Sequence, residues 1–219
     1  MSLRVPFAAN RGGYYASVAA VAVAGPSPTA PEMLAALEQA VGQAKSQDTL
    51  VFFYAGHGVK DKDGRLYITT GTSELGRLDA TALSWSRIAA VLDKAEARVV
   101  VFLDACHSGQ AGAPIAAPND QAIARLFQQT RRPMIVFAAS KGRQLSFEAA
   151  DKKLGGGYFT HALAEIIAGN RAAYDLDGNG AIEISELYRG LKAYVIDNSN
   201  GDQTPWLARQ DVVGDFALF

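Results

Sequence analysis

The segment RVVVFLDA, at residues 98–105, has the strongest strand pattern in the chain and decides the fold class. Its apolar residues are continuous rather than alternating, which is typical of a parallel strand that is covered on both faces. Two further runs have the same character: TLVFFYA at 49–55 and MIVFAA at 134–139. The sequence therefore predicts three buried strands that belong to one sheet.

Helical patterns lie between these strands. Apolar residues recur at helical spacing after Thr29, which predicts a helix over 31–45 with Thr29 as its cap, and Ser84 is the expected cap of a second helix. The second helix is predicted over 85–95, further helices over 119–130, 158–168 and 184–197, and a hairpin over 60–71. Because strands alternate with helices, we expect an α/β fold, a three-layer α/β/α sandwich with a mainly parallel central sheet.

The composition limits the classes of protein to which the chain can belong. Its 219 residues fit a single domain, 1–219, with an irregular stretch at 1–13. With 21 basic and 22 acidic residues, the chain lacks the positive charge that nucleic-acid binders carry. No apolar run reaches the roughly 18 residues that predict a membrane span. The single cysteine, Cys106, excludes a disulfide framework and a cysteine-based zinc cluster.

The segment YYASVAAVAVA, at 14–24, allows two interpretations. The alternation of valine with alanine favours a buried strand, which we place at 16–24. The arginines before it and the small residues that end it also resemble a secretory signal with its cleavage site. We prefer the strand, which implies a cytoplasmic protein, whereas the alternative implies export.

A histidine and a cysteine follow the ends of two predicted strands. His57 lies in Gly-His-Gly after the strand at 49–55, and Cys106 follows the strand at 98–105. Because neighbouring parallel strands are about 4.8 Å apart, residues at their carboxyl ends can bring an imidazole and a thiol together. Such a pair can hold a reactive thiolate, and the N–H groups of Gly58 and Cys106 could form an oxyanion hole. The alternatives are a small core cysteine and a surface histidine.

The motifs YAGHG at 54–58 and DACHSG at 104–109 resemble those of the caspase–metacaspase family of cysteine peptidases, above all its bacterial, metacaspase-type branch. The separation of 106 − 57 = 49 residues is similar to the spacing of about 50 in caspases. The resemblance extends from about residue 16 to the C-terminus. It implies a caspase-like fold, with Cys106 as nucleophile, His57 as general acid and base, and neither a third catalytic residue nor a cofactor for the chemistry.

The resemblance also implies a substrate pocket. In metacaspases the acid two positions before the nucleophile lies in the S1 pocket and pairs with Arg or Lys at P1, so Asp104 is the expected specificity residue. Ser140, which follows the predicted strand at 134–139, is expected to line the same groove. The expected partner is therefore a peptide or protein with a basic P1 residue. The alternative role of Asp104 is to cap the turn at Cys106.

Two features depart from the family pattern. Metacaspases normally have another strand–helix unit before the strand placed at 16–24, and residues 1–13 are too short to supply it. We therefore expect either a truncated or processed chain or a sheet that is arranged differently. Metacaspases also bind calcium through acids that include one soon after the cysteine turn. The segment at 110–118 contains no acid, so that calcium site is not expected here.

The segment DLDGNGAIEISE, at 175–186, fits the EF-hand calcium loop at each ligand position and has Gly180 at the sharp turn. Calcium prefers such hard oxygen ligands around a glycine turn. The expected ligands are Asp175, Asp177, Asn179, the Ala181 carbonyl, Glu183 and Glu186. The alternative is an Asx-rich turn that caps the helix at 184–197.

Together these patterns predict a cysteine endopeptidase of metacaspase type that cleaves after Arg or Lys through a His57–Cys106 dyad. The alternative, from another class, is a catalytically silent caspase-like scaffold that binds calcium or a protein partner. The sequence does not indicate an oligomeric state.

Overall fold

The computed structural model describes residues 14–23, 27–106, 119–140, 157–168 and 171–219. The helices are α1 Ala30–Gln43, α2 Leu78–Thr81, α3 Trp85–Leu92, α4 Asn119–Gln129, α5 Tyr158–Ala168 and α6 Ile184–Asn198. The strands are β1 Thr49–Lys60, β2 Leu66–Ile68, β3 Leu83–Ser84, β4 Arg98–Cys106, β5 Met134–Ala138 and β6 Trp206–Gln210. Short 3₁₀ helices lie at Leu75–Arg77 and Arg171–Ala173.

The strands of the described residues form one sheet with the order β3-β2-β1-β4-β5-β6. The three central strands, β1, β4 and β5, are parallel, while the outer pairings are antiparallel. The predicted α/β fold with a parallel centre is therefore confirmed. The edge strands β3 and β6 are not evident from the sequence, because they have only 2 and 5 residues and no continuous apolar run.

Two apolar layers cover the sheet, one on each face. On one face α1, α3 and α4 contribute Leu37, Ile88 and Leu126 to the core. On the other face α5 and α6 contribute Phe159 and Leu191. Alternate residues of β4 join each layer, because successive side chains of a strand point to opposite faces. The result is the predicted three-layer α/β/α sandwich.

Strand β1 is longer than its apolar run predicts. It continues beyond 55 to Lys60 because it has two partners: β4 pairs with 49–57, and β2 pairs with 58–60. The Asp61 N–H closes the turn of this hairpin by donating to the Arg65 carbonyl at 3.0 Å. The predicted hairpin is therefore confirmed, and His57 lies inside a strand rather than in a loop.

The strand predicted at 16–24 is wrong for the residues that the structure describes. Residues 17–23 have no regular secondary structure, and most of them are exposed, including Val23. Alanine is depleted in strands, and valines without cover gain too little from burial for their alternation to select a strand. Residues 1–13, which belong to the signal interpretation, lie outside the described residues.

The predicted helices are confirmed, with small differences at their ends. Helix α1 begins after Thr29, which forms a capping box with Glu32. Helix α3 begins after Ser84, whose hydroxyl accepts a hydrogen bond from the Arg87 N–H at 3.3 Å, and ends at Leu92 rather than at 95. Within the described ranges, no helix combines the length and the apolar character that crossing a membrane requires.

Candidate active site

His57 and Cys106 occupy matching positions at the carboxyl ends of adjacent strands. Strands β1 and β4 run in parallel register from Thr49 opposite Arg98 to His57 opposite Cys106, the last pair of the ladder. Because parallel strands are about 4.8 Å apart, the two backbones are neighbours at the edge where open α/β sheets bind ligands. The His57 side chain is exposed. The side chain of Cys106 and the segment at 107–118 lie outside the described residues.

The main chain of His57 is held by two donors. Its carbonyl oxygen accepts hydrogen bonds from the Thr69 N–H at 2.9 Å and from the Tyr54 hydroxyl at 3.0 Å. The same hydroxyl lies 3.0 Å from the Thr69 carbonyl oxygen. The buried Tyr54 ring crosses Gly56, where a Cβ would lie only 2.4 Å from the hydroxyl oxygen. Gly56 therefore makes room for Tyr54, and Tyr54 fixes the strand that carries His57.

The N–H of Gly58 points toward the side on which β4 lies. In an antiparallel ladder, every second residue exchanges hydrogen bonds with its partner strand. The hydrogen bonds at His57 and Asp61 both go to the β2 arm of the hairpin. Gly58 lies between these two hydrogen-bonded positions, so its N–H points the other way, just beyond the register pair of His57 and Cys106. A main-chain donor is thus next to the backbone of both residues.

Asp104 is a residue of β4 whose side chain lies against the N-terminus of α5. It is buried, with only 2% of its surface exposed. Its Oδ2 atom accepts hydrogen bonds from the Thr160 N–H, at 3.2 Å, and from the Thr160 hydroxyl. Gly157, just before α5, permits this approach, because a Cβ at that position would lie 2.8 Å from Oδ2. The first turn of α5 therefore binds one oxygen of the Asp104 carboxylate, at the helix end that favours negative charge.

The other oxygen of Asp104, Oδ1, is buried and accepts no hydrogen bond from the residues that the structure describes. None of the salt bridges among the described residues involves this acid. Burial raises the pKa of the Asp104 carboxyl above its ordinary value, and the hydrogen bonds from Thr160 oppose that shift. A buried acceptor without a partner is rare and costs free energy. A hydrogen-bond donor that reached Oδ1, above all a cation, would remove this cost.

Ser140 follows β5, on the side of β4 opposite to β1, and is fully buried. The backbone next to it is fixed by two hydrogen bonds: the Ala139 N–H donates to the Leu103 carbonyl, and the Ala139 carbonyl accepts from the Gln203 side chain, both at 2.8 Å. Ser140 therefore lies beside the strand that carries Asp104. Its role in lining a groove stays a prediction, and the segment at 141–156 lies outside the described residues.

The fold and the strand-end motifs agree with a comparison against known protein families. The model of the caspase domain family, peptidase C14, matches residues 13–217. The chain belongs to the caspase domain family. Its sheet is therefore a caspase-like peptidase scaffold, and the family implies a protein substrate. No curated protein matches this caspase domain.

Solved structures support the fold of the caspase domain. One of them is the crystal structure of protein GSU0716 from Geobacter sulfurreducens, which aligns with a TM-score of 0.53 and 19% sequence identity. The alignment covers 85% of this chain and 75% of that chain. At this identity the similarity shows the fold alone.

A second group of acids in the caspase domain lies in the loop before α6 and in the first turn of that helix. The carboxylate oxygens of Asp175, Asp177 and Glu186 lie within 4.8 Å of one another. Main-chain donors orient two of them: the Gly180 N–H donates to Asp175 at 2.8 Å, and the Leu176 N–H donates to Glu186 at 2.6 Å. Hard oxygen atoms thus converge on one point of the loop, which is the donor set that calcium prefers.

The same loop also caps α6. Glu183 is the residue before the helix and forms a capping box with Glu186, whose carboxylate accepts the Glu183 N–H at 3.1 Å. The Asn179 side chain donates to the Glu183 carboxylate at 2.7 Å and accepts the Ala181 N–H at 2.8 Å. All the expected ligands therefore lie in one hydrogen-bonded turn, and that turn serves the helix cap as well.

Three residues next to the candidate site are not identified by sequence reasoning: Tyr54, Gly157 and Thr160. Tyr54 lies in an apolar run and is therefore interpreted as a core aromatic residue. Thr160 is 56 positions after Asp104, so no local pattern links the two. The one signal in the sequence is a glycine followed by the start of a helix, since the free N–H groups at a helix N-terminus donate hydrogen bonds to an acid. That signal does not identify which acid.

Proposed function

We propose that this caspase domain is a cysteine endopeptidase of metacaspase type that cleaves peptide bonds after Arg or Lys. The observation that carries the proposal is the register of β1 and β4, which makes His57 and Cys106 direct partners at the carboxyl ends of the strands. Acyl transfer by a thiol requires a base within hydrogen-bond reach, and adjacent strands supply that proximity.

The proposed reaction has two halves. His57 takes the proton of the Cys106 thiol, and the thiolate attacks the carbonyl carbon of the scissile bond. The N–H groups of Gly58 and Cys106 stabilise the resulting oxyanion, and the imidazolium gives its proton to the leaving amine. A water molecule, deprotonated by His57, then attacks the thioester and releases the acid product and the free thiol.

Asp104 is the proposed acid of the S1 pocket. Its buried Oδ1 atom has no hydrogen-bond partner, and the carboxylate has no cation in the described part of the chain. The guanidinium or ammonium group of a P1 residue would supply both the donor and the charge. Ser140, at the end of the adjacent strand β5, is the proposed neighbour of that group.

The test is hydrolysis of fluorogenic peptides that differ only in having Arg, Lys or Asp at P1. We expect the wild-type chain to cleave the Arg and Lys peptides and leave the Asp peptide intact. We expect Cys106→Ala to abolish cleavage while the circular dichroism spectrum stays unchanged. Activity that survives in Cys106→Ala would contradict the mechanism, and cleavage after Asp would contradict the role of Asp104.

A catalytically silent scaffold is the alternative from another class. It predicts no hydrolysis of any peptide and a thiol that reacts slowly with alkylating reagents, because a structural cysteine has no base to activate it. The exposed imidazole of His57, at the register position of Cys106, favours the peptidase instead.

We further propose that the loop at 175–186 binds calcium. Asp175, Asp177 and Glu186 would supply carboxylate oxygens, and their convergence within 4.8 Å supports the proposal. The remaining proposed ligands are Asn179, the Ala181 carbonyl and Glu183. Calcium there would neutralise the acids that the turn holds close together, and it would stabilise the first turn of α6.

Thermal unfolding with and without millimolar CaCl₂ tests the calcium loop. We expect calcium to raise the melting temperature of the wild-type chain, because a ligand that binds only the folded state stabilises it. Asp177→Asn should remove the calcium-dependent shift, and the control Glu165→Gln, an exposed acid on α5, should keep it. A shift of equal size in both variants, or with MgCl₂ in place of CaCl₂, would contradict a specific site.

A further inference from the structure

The carboxylate of Asp104 is held asymmetrically, and one residue is responsible. Both donors that reach Oδ2, the main-chain N–H and the side-chain hydroxyl, belong to Thr160 in the first turn of α5. Oδ1 is buried in the same environment, and no donor within the described ranges reaches it. Thr160 therefore binds one oxygen of the carboxylate and leaves the other without a donor from the described part of the chain.

Gly157 restricts the carboxylate from the other side. A Cβ at 157 would lie 2.8 Å from Oδ2 and 3.1 Å from Oδ1, so the carboxylate packs directly against the backbone before α5. With the helix turn on one side and two donors on Oδ2, rotation of the carboxylate would cost both hydrogen bonds. The direction in which Oδ1 faces is thus set by the chain itself.

We propose that Thr160 is a specificity-determining positioning residue: by engaging Oδ2 of Asp104, it leaves Oδ1 as the acceptor for the basic group of the P1 side chain. The inference rests on the proposed function, since it concerns the pocket of that same peptidase. It goes beyond that proposal by identifying the residue that aims the acid, which itself touches no substrate.

Because only one oxygen of Asp104 is left for the substrate, the pocket should discriminate little between Lys and Arg at P1. A guanidinium gains its advantage over an ammonium when it can bind both oxygens of a carboxylate at once. With Oδ2 occupied by two donors from Thr160, a P1 cation meets one free oxygen, which an ammonium satisfies equally well. The kcat/KM values of wild-type chain for otherwise identical Arg and Lys peptides should therefore agree within roughly threefold.

Thr160→Val tests the proposal, because it removes the hydroxyl while keeping the size of the side chain and the main-chain donor. We expect KM for Arg and Lys peptides to rise by roughly fivefold to tenfold, with kcat nearly unchanged, because the variant loses one hydrogen bond to a charged group that binds substrate. Thr160→Ser, which keeps the hydroxyl, should restore the wild-type KM. The ratio of Arg to Lys hydrolysis should rise in Thr160→Val, because Oδ2 gains free acceptor capacity.

Thr130→Val is the matched control. Thr130 is equally buried, and its hydroxyl donates to the Leu126 carbonyl at 2.9 Å at the end of α4, before β5 begins. The Thr130→Val variant therefore loses one buried hydroxyl hydrogen bond, as Thr160→Val does, but at a distance from the proposed pocket. We expect it to lower the melting temperature without changing KM. An equal rise of KM in Thr130→Val and Thr160→Val, or no rise in either, would overturn the positioning role of Thr160.

A binding measurement separates this inference from the proposed peptidase activity. Isothermal titration calorimetry with benzamidine reports occupation of the basic pocket without any turnover. Binding that weakens in Thr160→Val, recovers in Thr160→Ser and vanishes in Asp104→Asn supports the inference even if the wild-type chain hydrolyses no peptide. Equal binding by wild-type chain and Thr160→Val overturns the inference while leaving peptidase activity intact. Absence of benzamidine binding by wild-type chain overturns the pocket itself, and the inference with it.

A wild-type preference of tenfold or more for Arg over Lys would also overturn the inference, because it would mean that both oxygens of Asp104 are available to the P1 side chain.

Discussion

Two aspartates on neighbouring parts of the sheet differ in the hydrogen-bond donors and the cation that surround their carboxylates. Asp61, in the turn after β1, accepts hydrogen bonds from the Arg65 guanidinium at 2.6 Å and from the N–H groups of Asp63 and Arg65 at 2.9 and 2.8 Å. The Tyr67 hydroxyl lies 3.3 Å from the same carboxylate. Asp104, in β4, receives hydrogen bonds from Thr160 alone and has no cation beside it in the described part of the chain.

The two pKa shifts follow this difference. Desolvation acts on both acids, but the hydrogen bonds from Arg65 overcome it and lower the pKa of Asp61. For Asp104 desolvation prevails and raises the pKa. A carboxylate that serves the fold has its cation and its donors within the chain. A carboxylate that is buried and left half-satisfied costs stability, and such groups concentrate at functional sites.

Asp104→Asn should have the largest effect on function, and Asp61→Asn is its matched control. We expect Asp104→Asn to lower kcat/KM for Arg and Lys peptides by roughly 100-fold, because the cation of the P1 side chain would be buried without the carboxylate that pairs with it. Asp61→Asn should leave these values unchanged and lower the melting temperature, because it weakens the hairpin turn. Steady-state kinetics and thermal unfolding of both variants check this pair of outcomes. A similar loss of kcat/KM in both variants would remove the distinction between the two acids.

The pH dependence of stability sharpens the same comparison. The folded-state pKa of Asp104 is raised, so the folded chain binds this proton more tightly than the unfolded chain. The stability that this proton supplies is fully present below the unfolded pKa, about 3.9, and is lost as the pH rises through the folded pKa. Asp104→Asn stays neutral, so its melting temperature should exceed that of the wild-type chain at neutral pH, and the gap should close in acid. A gap that is constant with pH would contradict ionisation of a buried Asp104.

Gly56→Ala tests the strand that carries His57. A Cβ at 56 would lie 2.4 Å from the Tyr54 hydroxyl oxygen, so the ring must move and His57 with it. We expect kcat to fall by roughly tenfold, and the free energy of unfolding by about 1–3 kcal/mol, as in other overpacked positions. Gly42→Ala is the control, since nothing lies within 4 Å of a Cβ there, and it should stabilise α1 by up to about 1 kcal/mol. Unchanged kcat in Gly56→Ala would show that Tyr54 does not set the position of His57.

Tyr54→Phe should have the smallest effect. It removes the hydroxyl that lies 3.0 Å from the His57 and Thr69 carbonyl oxygens, but the Thr69 N–H still donates to His57. We expect kcat to fall by a few fold, KM to stay the same and the free energy of unfolding to fall by about 1 kcal/mol. Kinetics and denaturant unfolding of this variant check the prediction. A change in KM without a change in kcat would place Tyr54 in substrate binding instead.

The parts of the fold that sequence predicts are those determined by local pattern. The continuous apolar runs of β1, β4 and β5 predict a buried parallel centre, and caps such as Thr29 predict where helices begin. From two adjacent parallel strands it follows that His57 and Cys106 come near each other. The register that makes them direct partners is a result of the structure.

The features that the sequence does not predict depend on contacts between distant residues. The strand expected at 16–24 has the right alternation but finds no cover, and β1 extends through His57 only because β2 returns to pair with it. The bond between Thr160 and Asp104 joins a helix to a strand across 56 positions. Local propensity carries no information about such pairings, so they are seen only once the layers are packed.

Alkylation of Cys106 as a function of pH tests the central claim, the His57–Cys106 dyad, most directly. Cys106 is the single cysteine of the chain, so the rate of iodoacetamide incorporation reports one thiol. An ordinary thiol has a pKa of about 8.5 and reacts slowly in mild acid, whereas an imidazolium keeps a neighbouring thiol ionised there. We expect the wild-type chain to react at pH 6 at least about tenfold faster than His57→Ala. Identical rate profiles that both rise only near pH 8.5 would contradict the dyad.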